Sequence, residues 1–271
     1  MKLIELKEFH DNLIKNYKRK KISKNKKLKD NLVSIVLPVY NGSEFLKDSI
    51  DSVLNQTYRP IELIIVNDGS TDETESIINF YQNSVEVIVL KQTNKGLPVA
   101  LTNGFEQAQG EFWTWTSADN LMEPNMIDTL VAKLKSEIHI GMVYSDYYAI
   151  DTNGAPLKTP SWRAHNRPDL ESGEVRLPRT TENLSSVPDN FIGPSFLYRG
   201  TIGQMVGAYN APIGVEDYDY WLRLQHYAEI KHLGSDELLY RYRVHGSSLS
   251  SIISNKELRI RTQYIMNKLR K

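Results

Sequence analysis

The chain has 271 residues, of which 40% are hydrophobic and 24% charged, and its formal net charge at pH 7 is zero. This length accommodates one α/β domain with short additions, or at most two domains, and the composition excludes disordered and fibrous classes. The sequence contains no cysteine, which excludes disulfides, thiolate metal sites and cysteine nucleophiles and suits a cytoplasmic protein. No apolar run approaches the ~18 residues that a membrane-spanning helix requires.

Positive charge is concentrated at the amino end of the chain, in a basic leader that we assign to residues 1–31. Residues 1–30 carry eleven Lys and Arg against four acids, a net charge of +7 that leaves −7 for the remainder. The densest part, 15–29, indicates either a solvated leader or a peripheral contact with anionic lipid at the inner face of a membrane. Nucleic acid is not expected as a partner, because one tyrosine is the only large aromatic residue in that run.

Two short runs of β-branched and other apolar residues predict buried strands at Val33–Leu37 and Ile61–Val66. A segment of helical length lies between them, and its apolar positions recur at helical spacing from Phe45 to Leu54. A strand–helix–strand unit has parallel strands, so the loops that follow both strands should meet at the carboxyl edge of the sheet. Open α/β sheets bind their ligands at this edge.

The alternation of strands and helices continues to about residue 150 and predicts a mostly parallel sheet flanked by helices. The next elements are helices at Glu73–Tyr81, Gly96–Ala108 and Pro124–Leu134 and strands at Val85–Leu90, Glu111–Thr116 and Gly141–Tyr148. The pattern then breaks at Asp151–Pro188, which lacks sustained periodicity. After the break come an apolar run at Phe191–Tyr198, helices at Thr201–Val206 and from Glu216 to Leu224, a strand at Glu237–Val244 and a helix at Lys256–Leu269.

Several separated motifs in this order resemble those of the family 2 glycosyltransferases. They are VSIVLPVYNGS and IELIIVNDGSTD at 33–43 and 61–72, NKG at 94–96, SADN at 117–120, EDYDYWLRL at 216–224 and YRYRVHGSSLS at 240–250. The resemblance covers about four fifths of the chain. It implies a GT-A fold, which is α/β and Rossmann-like, over residues 32–252. Within it, 32–120 would form the nucleotide-binding half and 121–252 the acceptor and catalytic half, followed by a C-terminal helix at 253–271.

The resemblance implies that a nucleotide-diphosphate sugar lies against the loops at this edge. Tyr40 would stack on the base and Asp68 would accept from the base N3–H, which suits uracil because uracil has a π-face and an imide donor. A UDP-sugar is therefore the expected donor. The implied donor-binding residues are Pro38, Tyr40, Asn41, Asp68, Ser70, Lys95, Gly96, Asn103, Ser117, Ala118, Asp119 and Arg243.

The SADN motif stands where the family has an Asp-x-Asp signature. Asp119 keeps the second carboxylate, whereas Ser117 replaces the first and Asn120 follows where a further aspartate is common. A diphosphate leaving group carries clustered negative charge, which a divalent cation on hard oxygen ligands neutralises. The resemblance implies that Mn²⁺ or Mg²⁺ is the cofactor and that Asp119 is a ligand, with His245 a candidate metal ligand or diphosphate contact. Arg243 could hold a phosphate in bidentate fashion.

The acidic pair Glu216-Asp217 opens a predicted helix. A carboxylate at a helix N-terminus stays ionised, because the helix dipole favours negative charge there. Sugar transfer needs a base that takes the proton of the acceptor hydroxyl as this hydroxyl attacks the anomeric carbon. By the resemblance, Asp217 is that base, and Glu216 supports it or contacts the acceptor.

The sequence therefore predicts a metal-dependent inverting glycosyltransferase, expected to move a hexose onto a saccharide or lipid-linked saccharide in surface polysaccharide or glycoconjugate synthesis. A nucleotidyltransferase is an alternative, but its Gly-rich basic first loop is replaced here by Pro-Val-Tyr-Asn-Gly at 38–42. A second alternative is a catalytically weak nucleotide-sugar-binding module, to which the departures at Ser117 and Asn120 point. Hydrolysis of the donor in the presence of metal would separate an enzyme from such a module.

Overall fold

A computed structural model describes residues 26–158, 168–179, 184, 190–209, 214–248, 257 and 260–265. Most of the basic leader and most of the predicted C-terminal helix lie outside these residues. The described strands are β1 (Lys29–Val39), β2 (Ile61–Asn67), β3 (Val87–Lys91), β4 (Gly110–Trp115), β5 (Leu121–Met122), β6 (Ile140–Tyr144), β7 (Asp146–Ile150), β8 (Glu174–Val175), β9 (Phe196–Arg199), β10 (Glu229–His232) and β11 (Leu238–Arg243). The described helices with assigned bounds are α1 (Leu46–Leu54), α2 (Thr74–Tyr81), α3 (Leu97–Gln107), α4 (Met126–Ser136), α5 (Gly200–Val206) and α6 (Glu216–Leu224).

The central feature is a seven-stranded sheet with the order β10-β6-β9-β4-β1-β2-β3. β1 pairs in parallel with β2 and β4, and β2 pairs in parallel with β3. β9 runs antiparallel to both neighbours, β4 and β6. The predicted fold class, an α/β domain of GT-A type with a mostly parallel sheet flanked by helices, is confirmed.

The middle of the sheet is apolar on both faces because helices cover both. All seven residues of β2 are buried, and so are the last eight of β1. Leu46, Ile50 and Val53 of α1 are fully buried. α3 approaches β1 closely at Gly104, where a Cβ atom would lie 2.4 Å from a methyl group of Val36. Because α1 follows β1 and α3 follows β3 along the chain, the starts of these helices lie at the carboxyl edge of the sheet.

The prediction of one strand over Gly141–Tyr148 is wrong, because the chain changes sheets within it. β6 belongs to the central sheet, whereas β7 belongs to a second sheet with the order β5-β11-β7-β8. The change occurs at Ser145, whose N–H donates to the carbonyl of Ser195 at 3.0 Å and whose hydroxyl lies 2.6 Å from the Ser195 hydroxyl. The predicted start of a helix at Pro124 is also displaced, since α4 begins at Met126.

The short strands β5, β8 and β10 were not anticipated from the sequence. The central sheet contains β6, β9 and β10 together with β1–β4, so it extends across the predicted division at residues 120/121. That division stays a prediction. None of the helices in the described residues is long and apolar enough to cross a membrane.

Candidate active site

Hydrogen bonds tie together the loops that follow β1 and β2. The N–H of Asn41 donates to Ser70 Oγ at 3.0 Å, and Asn41 Oδ1 accepts from the N–H of Thr71 at 2.7 Å. Asp72 accepts from the N–H of Ser43 at 3.1 Å and, through its other oxygen, from the first N–H of α2. Desolvation acts to raise the pKa of Asp72, but these hydrogen bonds prevail and hold the pKa at about 2. The two loops are therefore held as one unit across neutral pH.

This unit presents Tyr40, which is 51% exposed, as an open aromatic surface. Its position suits the predicted stacking on a nucleotide base. Asn41 and Ser70 join the two loops through hydrogen bonds, and their direct contact with the donor stays a prediction. Pro38 is buried inside β1, opposite Val66 of β2, and any effect of Pro38 on the donor would be indirect.

Asp68 organises the loop that leads into α3. The carboxylate is 3% exposed, and its two oxygens accept from the N–H of Lys95 and the N–H of Gly96, both at 2.8 Å. It also accepts from the side chain of Gln92 at 2.6 Å, and Gln92 in turn accepts from Asn103. Gly96 has a φ of +85°, a conformation that favours glycine. A carboxylate offers about four acceptor positions, so Asp68 can accept one further donor, such as an imide N–H.

We expect Asp68→Asn to destabilise the protein, because its new amide group would face a backbone N–H in either orientation. Leaving a buried donor unsatisfied typically costs about 1–3 kcal/mol of unfolding free energy. Urea unfolding monitored by tryptophan fluorescence measures this loss. Asp48→Asn, on an exposed residue of α1, is the control and should stay within about 0.5 kcal/mol of the wild type. Equal unfolding free energies for Asp68→Asn and Asp48→Asn would show that Asp68 does not hold the loop that leads into α3.

The loop of the SADN motif is fixed between α1 and β11. The carbonyl of Ser117 accepts from Ser49 Oγ at 2.9 Å, and Asn120 Oδ1 accepts from the N–H of Arg243 at 2.8 Å. Ser117, Ala118 and Asp119 are half-buried. Asn120 therefore has a structural role, because its side chain accepts a hydrogen bond from the backbone of Arg243. This role accounts for an asparagine at a position where a further aspartate is common.

The structure brings Asp119 and His245, the two predicted metal ligands, together from positions far apart in the chain. His245 Nε2 lies 2.9 Å from Asp119 Oδ2, and His245 Nδ1 lies 2.8 Å from Ser247 Oγ. An ionised carboxylate accepts only, so a neutral His245 carries its proton on Nε2 and accepts from the serine hydroxyl at Nδ1. The second oxygen, Asp119 Oδ1, is buried and has no hydrogen-bond partner among the described residues.

Arg243 lies beneath this pair and is 4% exposed. Its guanidinium donates to the carbonyls of Asp119 at 3.0 Å, Asp151 at 3.1 Å and Thr152 at 2.8 Å. It also lies 4.5 Å from the ring centroid of Phe45, whose ring is 5.2 Å from that of His245. A bidentate phosphate contact stays a prediction, and it would require Arg243 to give up carbonyl contacts. In this structure Arg243 supports the loop that carries Asp119.

The residues around Asp119 fit a divalent cation that shares its coordination with a substrate. No group of three or more His, Cys, Asp or Glu side chains within the described ranges could hold a metal by itself. The orphaned Asp119 Oδ1 nevertheless provides one hard oxygen, and His245 would add an imidazole nitrogen once Nε2 gives up its proton or Nδ1 releases the Ser247 hydroxyl. Mg²⁺ and similar ions commonly use one or two protein ligands together with phosphate oxygens and water. These two residues are the ones that would hold such an ion.

The second acidic site is the start of α6, where Glu216 and Asp217 differ in environment. Glu216 is 6% exposed, and its carboxylate accepts from the N–H of Gly214. Asp217 is half-buried, and its Oδ2 accepts from Asn190 Nδ2 at 2.9 Å. Asp217 is thus the more accessible of the two acids, which suits the predicted base, while Glu216 shapes the turn that leads into the helix.

α6 is anchored firmly behind these acids. Asp219 and Arg223 form an ion pair at 2.8 Å, with side chains that are 4% and 18% exposed. Arg223 also donates to the backbone carbonyls of Val206, the last residue of α5, and of Ala208. Tyr220 stacks on Tyr209 with ring centroids 4.0 Å apart. Rigid support of this kind holds a functional side chain in place better than a loop does.

Three residues of the site were not identified from the sequence: Gln92, Phe45 and Asn190. Gln92 links Asp68 to Asn103, Phe45 lies between Arg243 and His245, and Asn190 contacts Asp217. None of them belongs to a charged or repeated motif, so the sequence carried no signal for their roles. Lys95, by contrast, takes part through its backbone, and its exposed side chain remains a predicted donor contact.

The family model for "Glycosyl transferase family 2" matches residues 34–193. An uncharacterized glycosyltransferase of Rickettsia conorii is 34% identical over 231 residues, which cover 83% of this chain and 36% of that protein. An uncharacterized glycosyltransferase of Rickettsia prowazekii is 31% identical over 232 residues, which cover 83% of this chain and 68% of that protein. The chain thus spans about a third of the length of one relative and about two thirds of the other.

Two solved structures share the fold. TarS of S. aureus in complex with UDP-GlcNAc has a TM-score of 0.63 and 19% identity, and the match covers 82% of this chain and 61% of TarS. The mannosyltransferase PcManGT of Pyrobaculum calidifontis in complex with GDP-Man and Mn²⁺ has a TM-score of 0.56 and 17% identity, covering 91% and 69% of the respective chains. At this identity the likeness supports the architecture alone.

Proposed function

The chain belongs to glycosyl transferase family 2, and from that premise we propose that it transfers a sugar from a UDP-sugar to an acceptor hydroxyl with inversion at the anomeric carbon. The observation that carries this proposal is the buried, unpartnered Oδ1 of Asp119 beside His245. An unsatisfied buried carboxylate oxygen is costly, so its presence points to a ligand that completes it. A diphosphate-bound cation has that chemistry.

The proposed reaction is a single displacement at the anomeric carbon. The acceptor oxygen attacks the anomeric carbon, the bond from that carbon to the diphosphate oxygen breaks, and the nucleoside diphosphate leaves. Asp217 takes the proton of the acceptor hydroxyl, and a single displacement of this kind inverts the anomeric centre. Bound at Asp119 and His245, Mn²⁺ or Mg²⁺ would offset the charge of the diphosphate. Tyr40 and Asp68 would hold the base.

The acceptor and the cellular role belong to the same proposal. A saccharide or lipid-linked saccharide acceptor fits a role in surface polysaccharide or glycoconjugate synthesis on the cytoplasmic side of a membrane. The basic segment 15–29 would then contact the membrane peripherally. Residues 15–25 of it lie outside the described residues, and Lys29 is the first residue of β1. TarS, whose structure contains UDP-GlcNAc, supports a UDP-sugar donor, whereas PcManGT, whose structure contains GDP-Man and Mn²⁺, supports a cation together with a nucleotide sugar.

We expect UDP to raise the melting temperature more than GDP, ADP or CDP does, and more strongly with manganese present. At 100 times its Kd, a ligand that binds only the native state adds about 2.7 kcal/mol of stability. For a domain of this size that corresponds to roughly 5–10 °C. A thermal-shift panel with and without EDTA measures the effect, and dTDP is expected to resemble UDP because it shares the imide edge. Equal shifts for all four nucleotides would rule out the assigned base contacts.

A further inference from the structure

Asn190 reaches the acidic start of α6 from a distant part of the chain. Its Nδ2 donates to Asp217 Oδ2 at 2.9 Å, although 27 positions separate the two residues in sequence. Asn190 is only 9% exposed, so little water competes for this hydrogen bond. A hydrogen bond between an amide and a carboxylate is charge-assisted and therefore stronger than a neutral one.

The orientation of the Asn190 amide follows from its other contact. The N–H of Ile192 donates to Asn190 Oδ1 at 3.2 Å, and a backbone N–H can only donate. The oxygen of the amide therefore faces its own backbone, and the nitrogen must face Asp217. An amide turned the other way would place oxygen against carboxylate and nitrogen against N–H, and neither hydrogen bond would form.

The backbone that carries Asn190 is fixed to the central sheet. Phe191 and Ile192 are 4% and 3% exposed, and the ring of Phe191 packs 6.3 Å from that of Tyr144 at the end of β6. Farther along, Ser195 is bonded to Ser145 where the chain changes sheets. Asn190 thus links the side chain of Asp217, which lies on a separate helix, to the central sheet.

We propose that Asn190 is a positioning residue that holds the carboxylate of Asp217 in the orientation needed to accept the acceptor's proton. This inference rests on the proposed function, since it requires Asp217 to be the base. The Asn190 amide engages Oδ2 and stabilises the ionised carboxylate, because a donor to the charged form favours that form. Small displacements of a catalytic group can cost on the order of 10²-fold in rate.

The experiment is a double-mutant cycle on the full chain, with Asn190→Ala made in the wild-type and Asp217→Asn backgrounds. In the wild-type background we expect kcat to fall by roughly 10- to 100-fold, the range that loss of a hydrogen bond to a charged group implies. UDP affinity should stay unchanged, and the acidic limb of the pH–rate profile should move to higher pH. In the Asp217→Asn background, Asn190→Ala should cost almost nothing more.

Two further variants keep the test decisive. Asn190→Asp preserves the size of the side chain but replaces the donor with a second carboxylate, so it should be at least as slow as Asn190→Ala. Asn125→Ala, on an exposed asparagine that precedes α4, is the matched control and should retain the wild-type rate and pH profile. Melting temperatures of all variants report whether the fold is retained.

The possible results separate this inference from the proposed function. Equal losses from Asn190→Ala in both backgrounds, or an unshifted pH profile, would overturn the positioning role alone. A wild-type rate for Asp217→Asn, or no transfer by the wild-type chain, would overturn the proposed function, and the role of Asn190 would fall with it. A loss that appears only in the wild-type background, with the profile shifted, supports the proposal.

Discussion

Replacing Asp217 with asparagine should slow sugar transfer by about 10²–10⁴-fold while leaving the affinity for the UDP-sugar nearly unchanged. A positioned general base typically contributes this much to a rate. The amide retains one oxygen that can accept from Asn190, its NH2 replaces the oxygen that now accepts from the N–H of Tyr218 at 2.7 Å, and it cannot take a proton at neutral pH. Single-turnover transfer and equilibrium donor binding, measured on the same preparation, separate the chemical step from binding.

Glu216→Gln is the control for this prediction because it changes the neighbouring acid in the same conservative way. Glu216 is buried against the turn at Gly214, so its replacement should affect stability more than rate. If Asp217→Asn turns over normally and Glu216→Gln is inactive, the base is Glu216. Wild-type rates for both variants would mean that the pair serves only as a helix start, and the proposed mechanism would be wrong.

The parts of the fold that could be predicted from the sequence are those set by local pattern. β1 and β2 are buried on both faces, so their apolar runs were unambiguous, and the structure places strands at Lys29–Val39 and Ile61–Asn67. The loops after them carry small polar residues because they meet at the edge of a parallel sheet. Only the ends of the elements differ, by a few residues.

The parts that could not be predicted depend on contacts between distant segments. The run from residue 141 to 148 is interrupted only by Ser145-Asp146, and it contains no glycine or proline after its first residue to mark a break. The break at Ser145 arises from bonds to Ser195, fifty positions later. The antiparallel insertion of β9 between β4 and β6 has the same long-range origin.

The candidate site likewise contains residues that could be predicted from the sequence and contacts that could not. Asp119 and His245 were predicted as metal ligands through the resemblance, which stays a prediction, and the structure places them in contact across 126 positions. Asn190 follows an irregular stretch without a recognisable motif, so its contact with Asp217 could be found only in three dimensions. Arg243 shows the opposite case, since its basic character suggested phosphate binding but its contacts are with backbone carbonyls.

Replacing Asp119 with alanine should remove most of the contribution that manganese makes to UDP binding. Substitution of residues that only support a metal ligand commonly costs about 10–100-fold in metal affinity, and loss of the ligand itself should cost at least that. His245 would remain as one nitrogen ligand without the carboxylate that now lies 2.9 Å from it. Calorimetry of UDP binding in manganese and in EDTA should show a large difference for the wild type and a small one for Asp119→Ala.

Asp48→Ala provides the matched control for Asp119→Ala, since it removes an exposed carboxylate from the first turn of α1 and should leave both affinities unchanged. In EDTA, Asp119→Ala and the wild type should bind UDP with similar affinity, because Tyr40 and Asp68 do not depend on the cation. A loss in EDTA as large as that in manganese would mean that Asp119 supports the loop instead of the metal. Unchanged affinity in manganese would make His245 or Glu216 the main anchor, and the orphaned oxygen of Asp119 would then require another ligand.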